Sequence, residues 1–200
     1  MGEVLLSNYQ AVLPEAGCDE AGRGCLAGPV VAAAVIFPEG YVNAELNDSK
    51  QLNAGVRAHL KEVIQQDALA YAIAFVDEKT IDKVNILNAS ILAMHLALGQ
   101  LSIQPAFIIV DGNRFKPYKN VAHQTVVKGD SKYLSIAAAS ILAKTARDAY
   151  MENLHEQFPL YQWRQNKGYA TELHRIAIQK YGQTPHHRRS FIVKSQLRLL

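Results

Sequence analysis

The chain of 200 residues contains only two cysteines, no long apolar run and only a small excess of positive charge. Cys18 and Cys25 lie too close together to build the disulfide framework of a secreted protein, and no Cys/His spacing typical of a zinc site accompanies them. No segment approaches the length of a membrane-spanning helix, and residues 1–10 lack the basic start and apolar core of a signal peptide. We therefore expect a soluble, cytoplasmic protein that does not bind membranes.

Internal repeats, low-complexity segments and a glycine-rich phosphate loop of the Walker type are also absent from the sequence. About half of the residues are apolar, 49%, and a chain of this length can bury one hydrophobic core. We predict a short N-terminal arm over residues 1–14 and a single domain over residues 15–200. The net charge is +3, and basic residues are concentrated in the last third of the chain. Such a concentration indicates a solvated face unless other features point to nucleic acid.

Apolar residues recur with both strand and helix periods, which predicts an α/β domain. Short apolar runs predict strands at residues 16–18, 29–37, 69–76, 106–110 and 121–127. Helices are predicted over residues 53–66, 82–101, 135–158 and 171–181. The first is expected to begin at the N-cap Asn53 and to bury Val56, Leu60, Val63 and Ile64. The second carries one apolar stripe at steps of three and four residues: Val84, Leu87, Ile91, Met94, Leu98 and Leu101.

Four acidic residues stand at the ends of predicted strands: Asp19, Glu20, Asp111 and Asp130. In sheets covered by helices, ligand crevices form at the carboxyl ends of strands, so these side chains are expected to converge. Clustered carboxylates require a compensating cation, and Mg²⁺ accepts oxygen ligands while retaining waters. Two such ions roughly 4 Å apart can activate a water and stabilise the leaving oxygen of a phosphoryl displacement. The cluster therefore favours hydrolysis of a phosphodiester.

Each acid also has a structural interpretation. Asp111 precedes a Gly-Asn pair suited to a turn, and Asp130 can cap the helix that follows it. Neighbouring strand residues point to opposite faces, so Asp19 and Glu20 cannot both point inward from a regular strand. Either a twist follows Asp19 or Glu20 contributes less directly. Asp148 is a weaker candidate, whose structural alternative is an ion pair with Lys144 or Arg147 on the same helix.

The order of these motifs resembles that of the prokaryotic type 2 ribonucleases H, the ribonuclease HII family. The matching segments are residues 19–24, 26–31, 48–52, 110–113, 128–131, 138–144 and 168–171. Cys25 stands where the family usually has proline. The resemblance implies a ribonuclease H-like fold, with a central mixed β-sheet flanked by helices and a helical C-terminal segment. It also implies a Mg²⁺- or Mn²⁺-dependent endonuclease, with two ions in the substrate complex, that cuts RNA paired with DNA and ribonucleotides embedded in duplex DNA. The products would carry 5′-phosphate and 3′-hydroxyl ends.

The resemblance also assigns roles to individual residues. The family's metal-binding acids correspond to Asp19, Glu20, Asp111 and Asp130. Its ribose-reading turn corresponds to Gly22, Arg23 and Gly24, whose main-chain groups can approach the 2′-hydroxyl because glycine has no side chain. Tyr169 matches the tyrosine that stacks on the sugar beyond the cut, although a core aromatic would look the same. Residues expected to hold phosphates are Lys50, Ser140, Lys144 and Arg147.

Two other functions compete with this interpretation. One is another metal-dependent nuclease of the same fold that acts on structured DNA, against which the ribose-reading turn and Tyr169 argue. The other is a nucleic-acid-binding module without catalysis, against which the retention of all four acids argues. Separately, the tail from Gln196 to Leu200 resembles short peptides that dock bacterial proteins onto the replication sliding clamp. The structural alternative is that its leucines fasten the last segment to the core.

Overall fold

The computed structural model describes residues 5–46 and 53–191, and within them five strands form one mixed sheet. The strands are β1 (Glu15–Ala21), β2 (Val30–Ile36), β3 (Ala70–Val76), β4 (Phe107–Asp111) and β5 (Ala122–Val126). Their order across the sheet is β3-β2-β1-β4-β5. The β1–β2 and β2–β3 pairs are antiparallel, whereas β1–β4 and β4–β5 are parallel. All five predicted strands are present, and the parallel half brings the carboxyl ends of β1 and β4 side by side.

Helices cover both faces of the sheet. They are α1 (Ala54–Asp67), α2 (Glu78–Val84), α3 (Ile86–Gln100), α4 (Leu134–Gln157), α5 (Trp163–Asn166) and α6 (Glu172–Tyr181). Short 3₁₀ turns at Gly129–Ser131 and Pro159–Tyr161 flank α4. Within the described residues, no helix is both long and apolar enough to cross a bilayer.

The long helix α4 lies very close to the sheet. A Cβ atom on Gly17 of β1 would come within 2.4 Å of the main chain of Ser135, so only glycine permits this approach. The next turn of α4 presents Ala137, Ala138 and Ala139, all buried against the sheet. On the opposite face, Ala16 and Cys18 of β1 join the cluster that contains buried side chains of α3. The small residues of α4 therefore set how near its side chains come to the strand ends.

Two sequence predictions about helices need correction. The predicted helix over 82–101 is divided into α2 and α3, because Asn85 adopts φ 67° and ψ 165° between them. Its side chain accepts a hydrogen bond from the Asn88 N–H at 3.1 Å and so caps α3, and asparagine tolerates positive φ better than most residues. Val56 of α1, predicted to be buried, is 38% exposed, whereas Leu60 and Ile64 are buried as expected.

The described part of the N-terminal arm packs against the start of α4. The Leu6 N–H donates to the Lys132 carbonyl at 2.8 Å, and the Leu134 N–H donates to the Leu6 carbonyl at 2.9 Å. At the other end of α4, α5 and α6 enclose a separate apolar cluster that includes Met151 and Trp163. Through these two contacts α4 is fixed at both of its ends.

Candidate active site

Asp19 and Asp111 meet at the carboxyl ends of two adjacent parallel strands. Cys18 of β1 is paired with Val110 of β4, so the two acids follow at neighbouring positions. The residues before them on the same face, Gly17 and Ile109, pack against α4. By strand alternation Asp19 and Asp111 therefore face the same side of the sheet, toward α4. This juxtaposition brings together two of the four acids that the sequence predicts to converge.

The Asp19 carboxyl has a strongly perturbed pKa. Its side chain is buried, and burial raises its pKa well above the usual range, with further raising from the charges of Glu20 and Asp111. The Ser140 hydroxyl and the Glu20 N–H act in the opposite direction by donating hydrogen bonds, the latter to Oδ1 at 2.6 Å. A buried carboxylate near two other acids gains stability from a cation placed between them.

Glu20 lies on the same strand but points the other way. Regular pairing of β1 with β2 continues through Ala21, so the strand does not break between the two acids. The Glu20 carboxylate accepts a hydrogen bond from Arg23 Nη1 at 3.0 Å. The strand has no break after Asp19, which favours the second alternative posed by the sequence, that Glu20 contributes less directly, and Glu20 lies beside Arg23 in the lining of the cavity described below.

Asp111 and Asp130 are connected through the turn that precedes α4. The Gly129 N–H donates to Asp111 Oδ1 at 2.7 Å, and Asp130 follows directly in the buried 3₁₀ turn. Across residues 5–46 and 53–191, no three Asp, Glu, His or Cys side chains come close enough to enclose a metal by themselves. Mg²⁺ seldom uses such a complete protein cage, because one or two carboxylates together with substrate phosphate and water satisfy it.

A cavity of about 280 Å³ opens above Asp19 and Asp111. Glu20 contributes the third acid of its lining. Five of the predicted substrate-binding residues also line it: Gly22, Arg23, Ser140, Lys144 and Tyr169. Gly24 is exposed beside the cavity without lining it, and Lys50 lies outside the described residues. The structure thus gathers eight of the twelve predicted site residues around one opening, and Asp130 is not among the residues that line it.

Lys144 reaches this cavity from α4 and is paired with Asp148 one turn further along the helix. Arg57 Nη2 of α1 lies 3.7 Å from the same Asp148 oxygen, Oδ2. This ion pair with Lys144 is one of the two that the sequence suggested for Asp148 in place of a role in the site. Asp148 therefore holds the ammonium group of Lys144 at the edge of the cavity.

Arg147 does not face the cavity, and the prediction that it holds a phosphate is corrected here. Its side chain is 1% exposed, and its guanidinium donates to the carbonyls of Ala27, Pro29 and Lys167 at 2.8–3.0 Å. A Cβ atom on Gly22 would lie 2.0 Å from Arg147 Nε. Every guanidinium nitrogen therefore donates to the main chain, and Arg147 supports the Gly22–Gly24 turn from beneath.

A second buried arginine, Arg188, performs a similar task and was not singled out from the sequence. Its Nε donates to the Gly28 carbonyl and its Nη1 to the Arg23 carbonyl, each at 2.9 Å. Burial lowers its pKa to about 10. Arg188 was counted only among the basic residues of the last third, because its acceptors lie some 160 positions away in the sequence. Sequence reasoning also passed over His174 and His187, which are buried behind Tyr169.

The sequence and the fold both resemble those of known proteins. The family model described as Ribonuclease HII matches residues 16–194. A Ribonuclease HII from Christiangramia forsetii is 58% identical over 196 residues, covering 98% of this chain and 99% of the relative. The ribonuclease H2 of Pyrococcus horikoshii OT3 has a similar structure, with a TM-score of 0.76 at 28% identity over 88% of this chain and 93% of that one. The RNase HII in a complex with PCNA from Archaeoglobus fulgidus gives a TM-score of 0.77 at 25% identity, covering 92% and 98% of the two chains.

Proposed function

Because the chain belongs to the ribonuclease HII family and is a ribonuclease H, we propose that it cuts at ribonucleotides within duplex nucleic acid by divalent-metal-dependent hydrolysis. The substrates are the RNA strand of RNA–DNA hybrids and single ribonucleotides embedded in duplex DNA. Residues 15–200 act as one catalytic domain. The observation that carries this proposal is the juxtaposition of Asp19 and Asp111 at adjacent strand ends, in the lining of a cavity that also includes Gly22 and Arg23 of the proposed ribose-reading turn.

The acids suit Mg²⁺ or Mn²⁺ by their chemistry. Asp19 and Asp111 offer carboxylate oxygens on one face of the sheet, and the raised pKa of Asp19 indicates a position that favours a neighbouring cation. Glu20 and Asp130 are the remaining ligands proposed for a pair of ions. When bound, the ions supply activation of the attacking water and stabilisation of the leaving oxygen.

The chain's own residues orient the substrate. Lys144 and Ser140 stand on one face of α4 and line the cavity, which supports assigning them to the phosphate that is cut. Water attacks the phosphorus in line with the bond to the 3′-oxygen, a new P–O bond forms, and the P–O3′ bond breaks. The 3′-oxygen leaves and takes up a proton, so the products carry a 3′-hydroxyl and a 5′-phosphate.

Selection for ribose is assigned to the two walls of the cavity. On one side the Gly22–Gly24 turn exposes main-chain groups that can approach a 2′-hydroxyl, the group that separates RNA from DNA. On the other side the ring of Tyr169, 44% exposed, is available to stack on a sugar. A substrate without the 2′-hydroxyl would leave the main-chain polar groups of the turn without a partner.

The test is cleavage of an end-labelled DNA duplex that contains one ribonucleotide, in Mg²⁺, beside all-DNA, branched-DNA and all-RNA controls. We expect one cut at the ribonucleotide, little cutting of the controls, and complete loss of activity in excess chelator. Phosphatase treatment of the fragments identifies the 5′-phosphate. Comparable cutting of branched or all-DNA substrates would instead support a structure-selective DNA nuclease, and full activity in chelator would refute the metal mechanism.

We further propose that the tail from Gln196 to Leu200, which lies outside the described residues, binds a sliding clamp. The sequence pattern supports this, and the Archaeoglobus fulgidus RNase HII occurs in a complex with PCNA. Deleting residues 196–200 should abolish binding in a titration with the bacterial clamp while melting and cleavage of naked substrate stay unchanged. No binding by the intact chain, or a large fall in melting temperature after deletion, would favour a structural role for the tail.

A further inference from the structure

A chain of hydrogen bonds runs from the main chain of Tyr169 into the core of the C-terminal helices. His174 of α6 places Nδ1 2.8 Å from the Tyr169 carbonyl oxygen. Its other nitrogen, Nε2, lies 3.0 Å from Trp163 Nε1 and 3.2 Å from His187 Nε2. The imidazoles of His174 and His187 are both buried. The residue that presents its ring to the cavity is therefore held from behind by an enclosed polar network.

Only one neutral arrangement of protons is compatible with the donors of this network, and in it the single lone pair of His174 Nε2 is shared between Trp163 and His187. The Trp163 indole can only donate, so His174 Nε2 accepts and the His174 hydrogen is on Nδ1, directed at the Tyr169 carbonyl. The Thr184 N–H donates to His187 Nδ1 at 2.9 Å, which puts the His187 hydrogen on Nε2, directed at His174. Both rings are neutral, and burial lowers the pKa of each.

The Tyr169 loop needs such support because its main chain is unusual. Lys167 and Gly168 have φ of 48° and 83°, and a left-handed lysine persists only where its surroundings determine it. The Gly168 carbonyl accepts from the Leu26 N–H at 2.8 Å, which ties the loop to the segment after the ribose-reading turn. At Tyr169 itself, the carbonyl accepts from His174 Nδ1 and from the Thr171 N–H, each at 2.8 Å.

We propose that His174 is a positioning residue for ribonucleotide selection: its imidazole fixes the Tyr169 peptide, and thereby the ring, through a single donated hydrogen bond. Trp163 and His187 hold the imidazole in the one tautomer that can make this bond. The inference rests on the proposed function, since Tyr169 has a sugar to meet only if the chain acts at ribonucleotides. Neither histidine touches the cavity, so the effect passes entirely through the Tyr169 main chain.

Two amide substitutions separate positioning from stability, because each keeps the hydrogen bonds of one imidazole nitrogen and loses those of the other. His174→Asn retains an N–H near the Nδ1 position but leaves the Trp163 and His187 donors without an acceptor. His174→Gln retains an acceptor near Nε2 but loses the donor to Tyr169. Unpaired buried donors destabilise a protein more than one carbonyl that keeps another partner. We expect His174→Asn to have the lower melting temperature, and His174→Gln to lose at least tenfold in kcat/KM on the single-ribonucleotide duplex.

The assays are run well below the lowest melting midpoint of the set, so that every variant is folded. In a Tyr169→Ala background, His174→Gln should change kcat/KM by less than twofold, because the ring it positions is gone. Leu154→Ala, in the same apolar cluster, serves as the control that lowers stability without removing a polar group of the network, and it should leave kcat/KM unchanged.

Three outcomes are decisive. Opposite rank orders of melting temperature and kcat/KM for the two His174 variants support the inference. Losses of kcat/KM that follow melting temperature, or a tenfold further loss in the Tyr169→Ala background, overturn it while leaving the proposed function intact. A wild-type protein that ignores the ribonucleotide overturns the proposed function, and this inference falls with it.

Discussion

Replacing Gly22 by alanine should destabilise the protein through a specific collision. The new Cβ atom would lie 2.0 Å from Nε, 2.5 Å from Cδ and 2.8 Å from Cζ of Arg147. Arg147 cannot move aside cheaply, because its three guanidinium nitrogens all hold main-chain carbonyls. Gly22 also has φ 94°, which costs an L-residue about 1–2 kcal/mol. Overpacking adds about 1–3 kcal/mol.

The sum, about 2–5 kcal/mol, corresponds to a fall in melting temperature of roughly 4–20 °C for a domain of this size. Gly24→Ala is the matched control in the same turn, since a Cβ atom there meets nothing within 4 Å. We expect Gly24→Ala to change stability by less than about 0.5 kcal/mol. Thermal melts by circular dichroism compare the two variants with wild type. Equal melting temperatures for Gly22→Ala and wild type would refute the role assigned to Arg147 beneath the turn.

Four further predictions concern the acids, the ring and the buried histidines. Asp111→Asn keeps an acceptor for the Gly129 N–H, so it should preserve melting and hybrid binding while eliminating most turnover in a cleavage assay. Mg²⁺ or Mn²⁺ should stabilise the wild type by about 2.7 kcal/mol at a hundredfold its dissociation constant, a gain that Asp19→Asn should abolish in thermal melts. Tyr169→Ala should reduce single-ribonucleotide cleavage far more than Tyr169→Phe, which loses only the hydroxyl that hydrogen-bonds Cys25; equal loss would point to that hydroxyl instead. Burial, with the nearby His174, lowers the pKa of His187 from 6.5 to about 4. Between these two pH values the imidazole binds a proton in the unfolded chain but not in the folded one, so the free energy of unfolding should fall as the pH drops from 6.5 to about 4. Melts of a His187→Asn variant should show a shallower pH slope.

The sequence was most informative where chemistry and strand order coincide. Asp19 and Asp111 each follow an apolar strand, and the general tendency of strand ends to form crevices was enough to predict their convergence. The motif order was equally informative, since the family, the ribonuclease H activity and the mixed sheet flanked by helices are all confirmed by the comparisons. Both successes depend on signals that lie within short segments of the chain.

The failures concern positions decided by distant parts of the chain. The apolar stripe continues at helical spacing across Asn85, so periodicity could not show that the main chain turns there. Arg147 and Arg188 look like phosphate ligands or surface charges in the sequence. Their burial depends on carbonyls more than a hundred residues away, and no local pattern reveals that contact. Arginines beside a nucleic-acid site can therefore bind main-chain carbonyls of the protein and need not contact the ligand.

The helix α4 also imposes a constraint on chain length. Ser140 and Lys144 at the cavity and Arg147 beneath the turn follow one another at steps of four and three residues, so they share one side of the helix. Inserting or deleting a single residue between Ser140 and Arg147 would rotate one group against the other by about 100°. Such a change would aim either the cavity residues or the supporting arginine away from its partners. The number of residues between these two positions therefore matters as much as the identity of the side chains.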